Sequence, residues 1–569
     1  MGDCAGGTGT AAGGGGTGAA AGDGTCAAAG GGAGGGAGGG LSRRRFAAIA
    51  GTALITAPLG APARAAAVRE ERHRVVIIGS GVGGSIAAFR FARAGIENVV
   101  LERGRRWPIR PGGGTFPSLT RPDHRLLWLD GRPPVQALDH LPLLSPLIRT
   151  ATAALPRYPG LLEVLVADTL VILCSAGVGG TTLSYAGMLP QPRPEVFHRV
   201  FGGSLDYGEL DRTYYPRARR RMRATPFPDD VLRHTRYRSD RLFGEAARAA
   251  GLDVERLDLG FDFDVIRAEL DGRVKPSASV GDYLLTGCDS GAKTSMDRTY
   301  LARAEATGRT KVRPLHRVTA IAANRDGTFR VSADRLDLAG RVVERAVLTC
   351  DKLVMAAGAV HTPRLLVTAR DTGALPRLNE HVGGDWGTNG DQAPTIKTLL
   401  AGTGAPQGGP PAFIARNADA TASIENVPLP LPVDAGAMLC LGMGLPDRLG
   451  RWHHDAANGR ARLAWTPGSD ATAGRETGRL AARTARHIPG GGVVVNPSAV
   501  YAITAHPLGG AVLGRATDPY GRLHGYRGLY CLDGALMPGS TAAVNPALTI
   551  AAVAERCLDH ILRHDFPTA

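Results

Sequence analysis

The chain has 569 residues, is 44% hydrophobic and only 5% aromatic, and carries a formal charge of +15. That length supports two lobes with substantial cores, while 79 glycines and 38 prolines foretell many loops. The one dense basic run, "RARRRMR" (217–223), comes without a nucleic-acid motif and reads as a solvated helix face, so nucleic acid is not an expected partner.

Eight cysteines lack C-x-x-C spacing, which argues against any metal site and leaves disulfide pairing open. Residues 1–40 are half glycine, a composition that cannot bury enough apolar surface to fold. Residues 41–66 change character. Ser42, Arg43, Arg44, Arg45, Phe46, a short apolar run and Ala63-Arg64-Ala65 have the layout of a twin-arginine export signal with its cleavage site. The expectation is a protein that meets the twin-arginine translocation machinery already folded and cofactor-loaded, and is secreted. The apolar run, broken by Pro58, is too short to span a bilayer.

"HRVVIIGSGVGGSIAAFRFARAGIENVVLERG" (73–104) predicts a buried strand, a helix ending near Gly95 and a second strand, "NVVLE". Gly79, Gly81 and Gly84 fall on G-x-G-x-x-G. Gly79 allows the tight turn, Gly81 the approach of a pyrophosphate, and Gly84 close helix–strand packing. Glu102 ends the second strand, placed for a ribose. Such a unit binds a dinucleotide without choosing between NAD and FAD.

Three later segments favour FAD. A second glycine loop, "ILCSAGVGGTTLSYAGM" (172–188), brings Gly177, Gly179 and Gly180. "KLVMAAGAVHTPRLLV" (352–367) predicts a strand passing small residues beside a flat ligand. "LYCLDGALMPGSTAAVNPALTIAAVAERCLDHIL" (529–562) predicts a strand, an Asp533-Gly534 turn and a helix starting at Asn545-Pro546. A cofactor touched by both ends of a chain is more typical of FAD than of NAD. In "YAITAHPLGGAVLG" (501–514), a lone His506 is followed by Gly509 and Gly510, an arrangement that packing alone does not require.

With these residues in view, the chain resembles the glucose–methanol–choline (GMC) oxidoreductases, and within that family the cholesterol oxidase branch. The resemblance runs through most of 73–563. It is most specific in "IIGSGVGGS", "GVGGTTL", "AKTSMDRTYL" (292–301), "GALPRLNEHVGGDWGTNG" (373–390), "HPLGGAVLGRATDPYGRLHGY" (506–526) and "DGALMPGSTAAVNPALTI" (533–550). It implies an α/β fold: a Rossmann-like FAD-binding domain (72–108, 290–384, 520–565) with a discontinuous α+β substrate-binding cap (109–289, 385–519) on a large sheet of six strands. It implies non-covalent FAD, O2 as acceptor and a sterol or other hydrophobic alcohol as substrate.

Position by position, the resemblance gives Glu102 to the ribose. It gives the loop Gly179 to Met188, with Gly180, Thr182 and Tyr185, to the flavin, and Val318 to the adenine through its backbone. Asp533-Gly534 goes to the ribityl and pyrophosphate groups, and Asn545-Pro546 to the pyrimidine end and active site. His506 matches the active-site histidine, and Glu425 in "SIENVPLPLP" the carboxylate that moves a proton when the steroid double bond shifts. The segment 105–165, with "LPLLSPLI" (141–148), resembles substrate-covering loops able to open against a membrane surface; an inter-domain connection is the other reading. His361, His381, His453 and His454 read as structural or surface groups.

The chain departs from the family at Cys174-Ser175-Ala176, Tyr185, Ala505 and Ala547, and its Gly-Ser-to-Asn-Pro link, "GSTAAVNP", is one residue longer. These positions bear on substrate and oxygen reactivity. Two further readings therefore stand beside a 3β-hydroxysteroid oxidase with isomerase activity. One is a GMC enzyme using another alcohol or acceptor, and the other an exported flavoprotein without catalysis.

Overall fold

Val75, Val76, Ile77 and Ile78 are buried at four consecutive positions because the strand they end is covered on both faces. In the computed structural model, which describes residues 68–129, 158–167, 169–496, 498 and 502–566, that strand (Val68–Ile78) is central in a seven-stranded sheet. It pairs in parallel with Asn98–Leu101 on one side and with the long strand Val342–Met355 on the other. Thr310–Arg313 extends the parallel set, and Leu529–Cys531 joins the end of the long strand, also in parallel. The first part of Val342–Met355 pairs instead with an antiparallel arm, Phe329–Leu336 and His316–Ala323. The helices Val82–Arg93, Tyr300–Glu305 and Ala547–Asp565 pack together on this sheet. This is the Rossmann-like architecture the glycine motif predicted.

A second sheet has six antiparallel strands. Gly492–Val495, Thr395–Thr398, Ala437–Gly444, Ala422–Val427, Phe413–Arg416 and Asp253–Arg256 lie in that order. The period of two divides its residues. Asn426, Gly442 and Phe413 face the helices Arg238–Ala249 and Ala471–Arg486, with Ser239 bonded to Asn426 and Thr477 against Gly442. Ser423 and Glu425 face the other way, and Ser423 Oγ donates to Ala543 O at 2.7 Å. A smaller sheet of Leu162–Ala167, Leu170–Ser175 and Ala502–Thr504 delivers the chain into the second glycine loop and into His506.

Residues 194–222 and 451–465, assigned from sequence to the substrate-binding part, contribute Phe197, Phe201, Tyr214, Met222, Trp452 and Trp465 to the same apolar cluster as the seven-stranded sheet. One expectation is corrected in part. Only part of the run 217–223 is a solvated face: Arg220 and Arg223 are exposed, but Arg217 pairs with Asp559 at 2.7 Å, Arg219 with Asp258 at 3.1 Å and Arg221 with Glu555 at 2.5 Å. Two of these acids lie on the C-terminal helix, out of sight in a linear reading.

Cys174, Cys288, Cys350, Cys440, Cys531 and Cys557 are free thiols. No helix among the described residues is long and apolar enough to cross a membrane. The glycine tail, the export signal and the patch 141–148 lie outside the described residues.

Candidate active site

A cavity of about 610 Å³ runs from the ends of the central strands toward the six-stranded sheet. Of the residues singled out from sequence, Gly79, Gly81, Glu102, Gly180, Thr182, Tyr185, Met188, Val318, His506, Asp533, Gly534, Asn545 and Pro546 line it. Gly84, Gly179 and Glu425 do not.

The glycines differ in role. Gly79 has φ +99°, and a Cβ there would lie 2.2 Å from Ala356 O. A Cβ on Gly84 would meet Gly79 O at 2.0 Å, which is packing between helix and turn. Gly81 is different: its φ of −69° is ordinary, and a Cβ would meet nothing nearer than Gly180 Cα at 3.9 Å. The space it leaves open is cavity. Gly81 is also the N-cap of an α-helix with no side-chain cap, so N–H groups of the first turn remain for an anion. This cradle fits a pyrophosphate.

Glu102 is buried; its Oε2 accepts from Ser80 N and Oγ, and its Oε1 from Gly104 N at 2.8 Å. Asp533 accepts from Gly358 N, Thr362 Oγ1 and Ala535 N, so its carboxylate ties two strand ends together and the backbone of Gly534 is what faces the cavity. Thr182 donates to Gly179 O, and Lys293, buried, donates to the carbonyls of Leu183, Tyr185 and Tyr283. Burial pulls the Lys293 amine down to about 7. The loop along the cavity is thus held by its own carbonyls.

His506 sits at the far end, its side chain 15% exposed. Gly509 and Gly510, both at positive φ, carry the chain away; a Cβ on Gly509 would lie 2.1 Å from Asp385 O. The imidazole has a partner that sequence reasoning missed. Its Nδ1 bonds Asp391 Oδ1 at 2.8 Å, while Asp391 Oδ2 accepts from Thr504 Oγ1, Ala505 N and His506 N. With donors converging on the carboxylate, Nδ1 carries the hydrogen and Nε2 is left as acceptor toward the cavity. Burial opposes a charge on His506, yet Asp391 outweighs it and holds the imidazole pKa above its ordinary value.

Glu425 is fully buried, and neither of its oxygens has a hydrogen-bond partner. Burial pushes its carboxyl up to about 8, against the opposing pull of Asn545, His506 and Arg416. Asn545 lies beside it without closing a hydrogen bond of normal geometry, and Asn545 Oδ1 is itself buried and bare. The longer link before Asn545 is absorbed by Ala542 and Ala543, both in the left-handed region, with Asn389 bonded to Thr541 N and Val544 O.

His361, read from sequence as a structural or surface group, lines the cavity, and its Nε2 bonds Glu163 Oε2 at 2.8 Å, which Arg103 also pairs at 2.7 Å. Tyr185 lines the cavity too, its buried hydroxyl without a partner. Asp391 and Glu163 carry no local signal, since their partners lie 115 and 198 residues away.

Comparison with known proteins agrees with this geometry. Two models described as GMC oxidoreductase match residues 112–369 and 472–554. The cholesterol oxidase of Mycobacterium tuberculosis H37Rv is 28% identical over 85% of this chain and 90% of its own. That of Acinetobacter baumannii is 21% identical over 85% and 94%. Among solved structures, pyridoxine 4-oxidase from Mesorbium loti superposes with a TM-score of 0.56 at 14% identity, covering 86% of this chain and 99% of its own. A formate oxidase of Aspergillus oryzae RIB40, described for modification of its FAD, gives 0.56 at 13% identity, covering 87% and 99%. The protein binds FAD, and the chain belongs to the GMC oxidoreductase family.

Proposed function

We propose that the protein is a secreted oxidase of 3β-hydroxysteroids, taking the alcohol to the ketone with reduction of O2 to H2O2 and moving the 5-ene to the 4-ene. The observation that carries this reading is Glu425: a fully buried, unpartnered carboxyl beside Asn545 and His506, on a sheet face that continues through Leu439 and Leu441. Simple alcohol oxidation has no use for a second proton carrier there.

Gly81, the uncapped helix, Glu102, the Gly534 backbone and the loop from Gly180 to Met188 would hold FAD. When bound, FAD supplies the acceptor for the carbinol hydride and its electron pair. The protein supplies the rest. His506 Nε2 accepts a hydrogen bond from the substrate hydroxyl and then its proton, and Asp391 stabilises the imidazolium that results. Asn545 orients the substrate oxygen by donating to it from its amide Nδ2. Glu425 lies outside the cavity lining, so it must rotate into the cavity to act; once ionised there, it takes a proton from the carbon beside the new carbonyl and returns it two carbons further on.

A second reading, a GMC enzyme for another apolar alcohol or another electron acceptor, draws on Tyr185, whose bulk and bare hydroxyl form part of the cavity wall. Secretion rests on Ser42 to Ala65 alone; lysines at Arg43 and Arg44 should abolish export, and unchanged export would remove that part. The test of the activity is to follow peroxide and enone absorbance with cholesterol in the FAD-loaded enzyme. Both products are expected. Peroxide without enone removes the isomerase, and neither product favours the second reading.

A further inference from the structure

On the sheet face that carries Glu425 lies another buried charge, which the chemistry above does not use. Arg416 ends the strand Phe413–Arg416, and its side chain is 1% exposed. Its Nη1 donates to Glu255 Oε2 at 2.8 Å, while Nε and Nη2 are buried with no hydrogen-bond partner. Register sets Ser423 opposite Arg416, and Glu425 opposite Ile414. Arg416 and Glu425 are therefore diagonal neighbours on one face, roughly 7–8 Å apart at the backbone.

Two bare guanidinium nitrogens and a bare carboxyl thus share one buried face. Left alone, each is costly, and an opposite charge on the neighbouring strand lowers the cost of ionising the carboxyl. On its other side Arg416 faces Asp253 and Glu255, carboxylates about half exposed at the sheet edge and also paired by Arg193. The remaining groups that act on Glu425 are His506, Asn545 and Asp391.

We propose that Arg416 is the positioning residue for the ionised form of Glu425, serving as its buried counter-cation from the neighbouring strand. Arg416 keeps its own proton throughout. The proton released by Glu425 on ionisation passes to bulk solvent, and no electrons move. Without a counter-cation, an ionised Glu425 would be an unpaired charge in a dry interior, which proteins avoid by staying neutral. Arg416 touches no substrate and acts only through Glu425. The inference rests on the reading that Glu425 changes protonation, but not on which alcohol is oxidised.

The test reads the proton directly. In the FAD-loaded enzyme, the protonated carboxyl of Glu425 has a carbonyl stretch in the infrared, assigned by its loss in Glu425→Gln, and its disappearance is followed as pH is raised. Arg416→Met should move the midpoint upward by at least one pH unit. Should that variant not fold, Arg416→Gln, neutral but still hydrogen-bonding, should move it in the same direction. A midpoint equal to that of the wild type in the folded variant overturns the proposal. Neither result depends on steroid turnover, so this test can fail while the oxidase reading stands, and the reverse.

Discussion

Asp391 accepts the Nδ1 hydrogen of His506 at 2.8 Å and, through its other oxygen, the backbone N–H groups of Ala505 and His506. One carboxylate therefore sets the tautomer of the ring and the course of the chain that carries it. An amide cannot do both, because one end of it donates. Asp391→Asn should slow anaerobic flavin reduction about 100-fold. The sign of its pH effect follows from the charge: Asp391 holds the His506 pKa up, so its removal makes the neutral imidazole available at lower pH. The acidic limb of the rate profile should move to lower pH, and a limb that stays in place would show that Asp391 does not act through the ring.

Glu425 links the site to stability. Its carboxyl titrates at about 8 in the folded chain, against 4.5 ordinarily. As pH rises, the unfolded state loses this proton first, so the fold is penalised progressively between about 4.5 and about 8, by roughly 1.4 kcal/mol per pH unit. Glu425→Gln removes the penalty. Thermal melts of the FAD-loaded protein should show the variant gaining on the wild type between pH 5 and pH 8, and a difference independent of pH would contradict a buried neutral carboxyl.

The glycines predict two distinct failures. Gly81 faces open space, so Gly81→Val should fold with wild-type circular dichroism and retain at least tenfold less FAD after dialysis. Gly83 faces Leu532 O, where a Cβ would lie at 1.7 Å, so Gly83→Ala should lower stability itself. Loss of fold in both variants would mean that Gly81 serves packing instead of the cofactor.

Glu555 is fully buried and accepts from Arg90, Arg221 and Tyr300. Replacing it by Gln leaves the half-buried Arg221 without its counter-charge, while Arg90 keeps Asp559, at a cost of about 1–3 kcal/mol. The denaturant midpoint should fall accordingly. An unchanged midpoint would return the basic run 217–223 to the solvated role its composition suggested.

These cases show what was legible in the sequence. The βαβ unit, the Asp533 turn and the C-terminal helix rest on neighbours in the chain, where periodicity and glycine spacing carry the information. Part of the basic run was misread because two of its acids, Glu555 and Asp559, lie 334 and 342 residues from their arginines. Asp391, Arg416 and the Glu163–His361 pair were invisible for the same reason: each becomes chemical only when strands distant in sequence meet. Glu425 was reachable through family resemblance, since an acid before an apolar run is as consistent with a solvated loop.

The central claim is that this site oxidises a bulky apolar secondary alcohol with His506 as base, and anaerobic reduction of the bound flavin tests it most directly. Cholesterol should bleach the visible flavin bands in the wild type, methanol and glucose should not, and His506→Ala should slow the bleaching by a factor on the order of 100 to 10,000. Equal rates for wild type and His506→Ala, or bleaching by the small alcohols alone, would contradict the account.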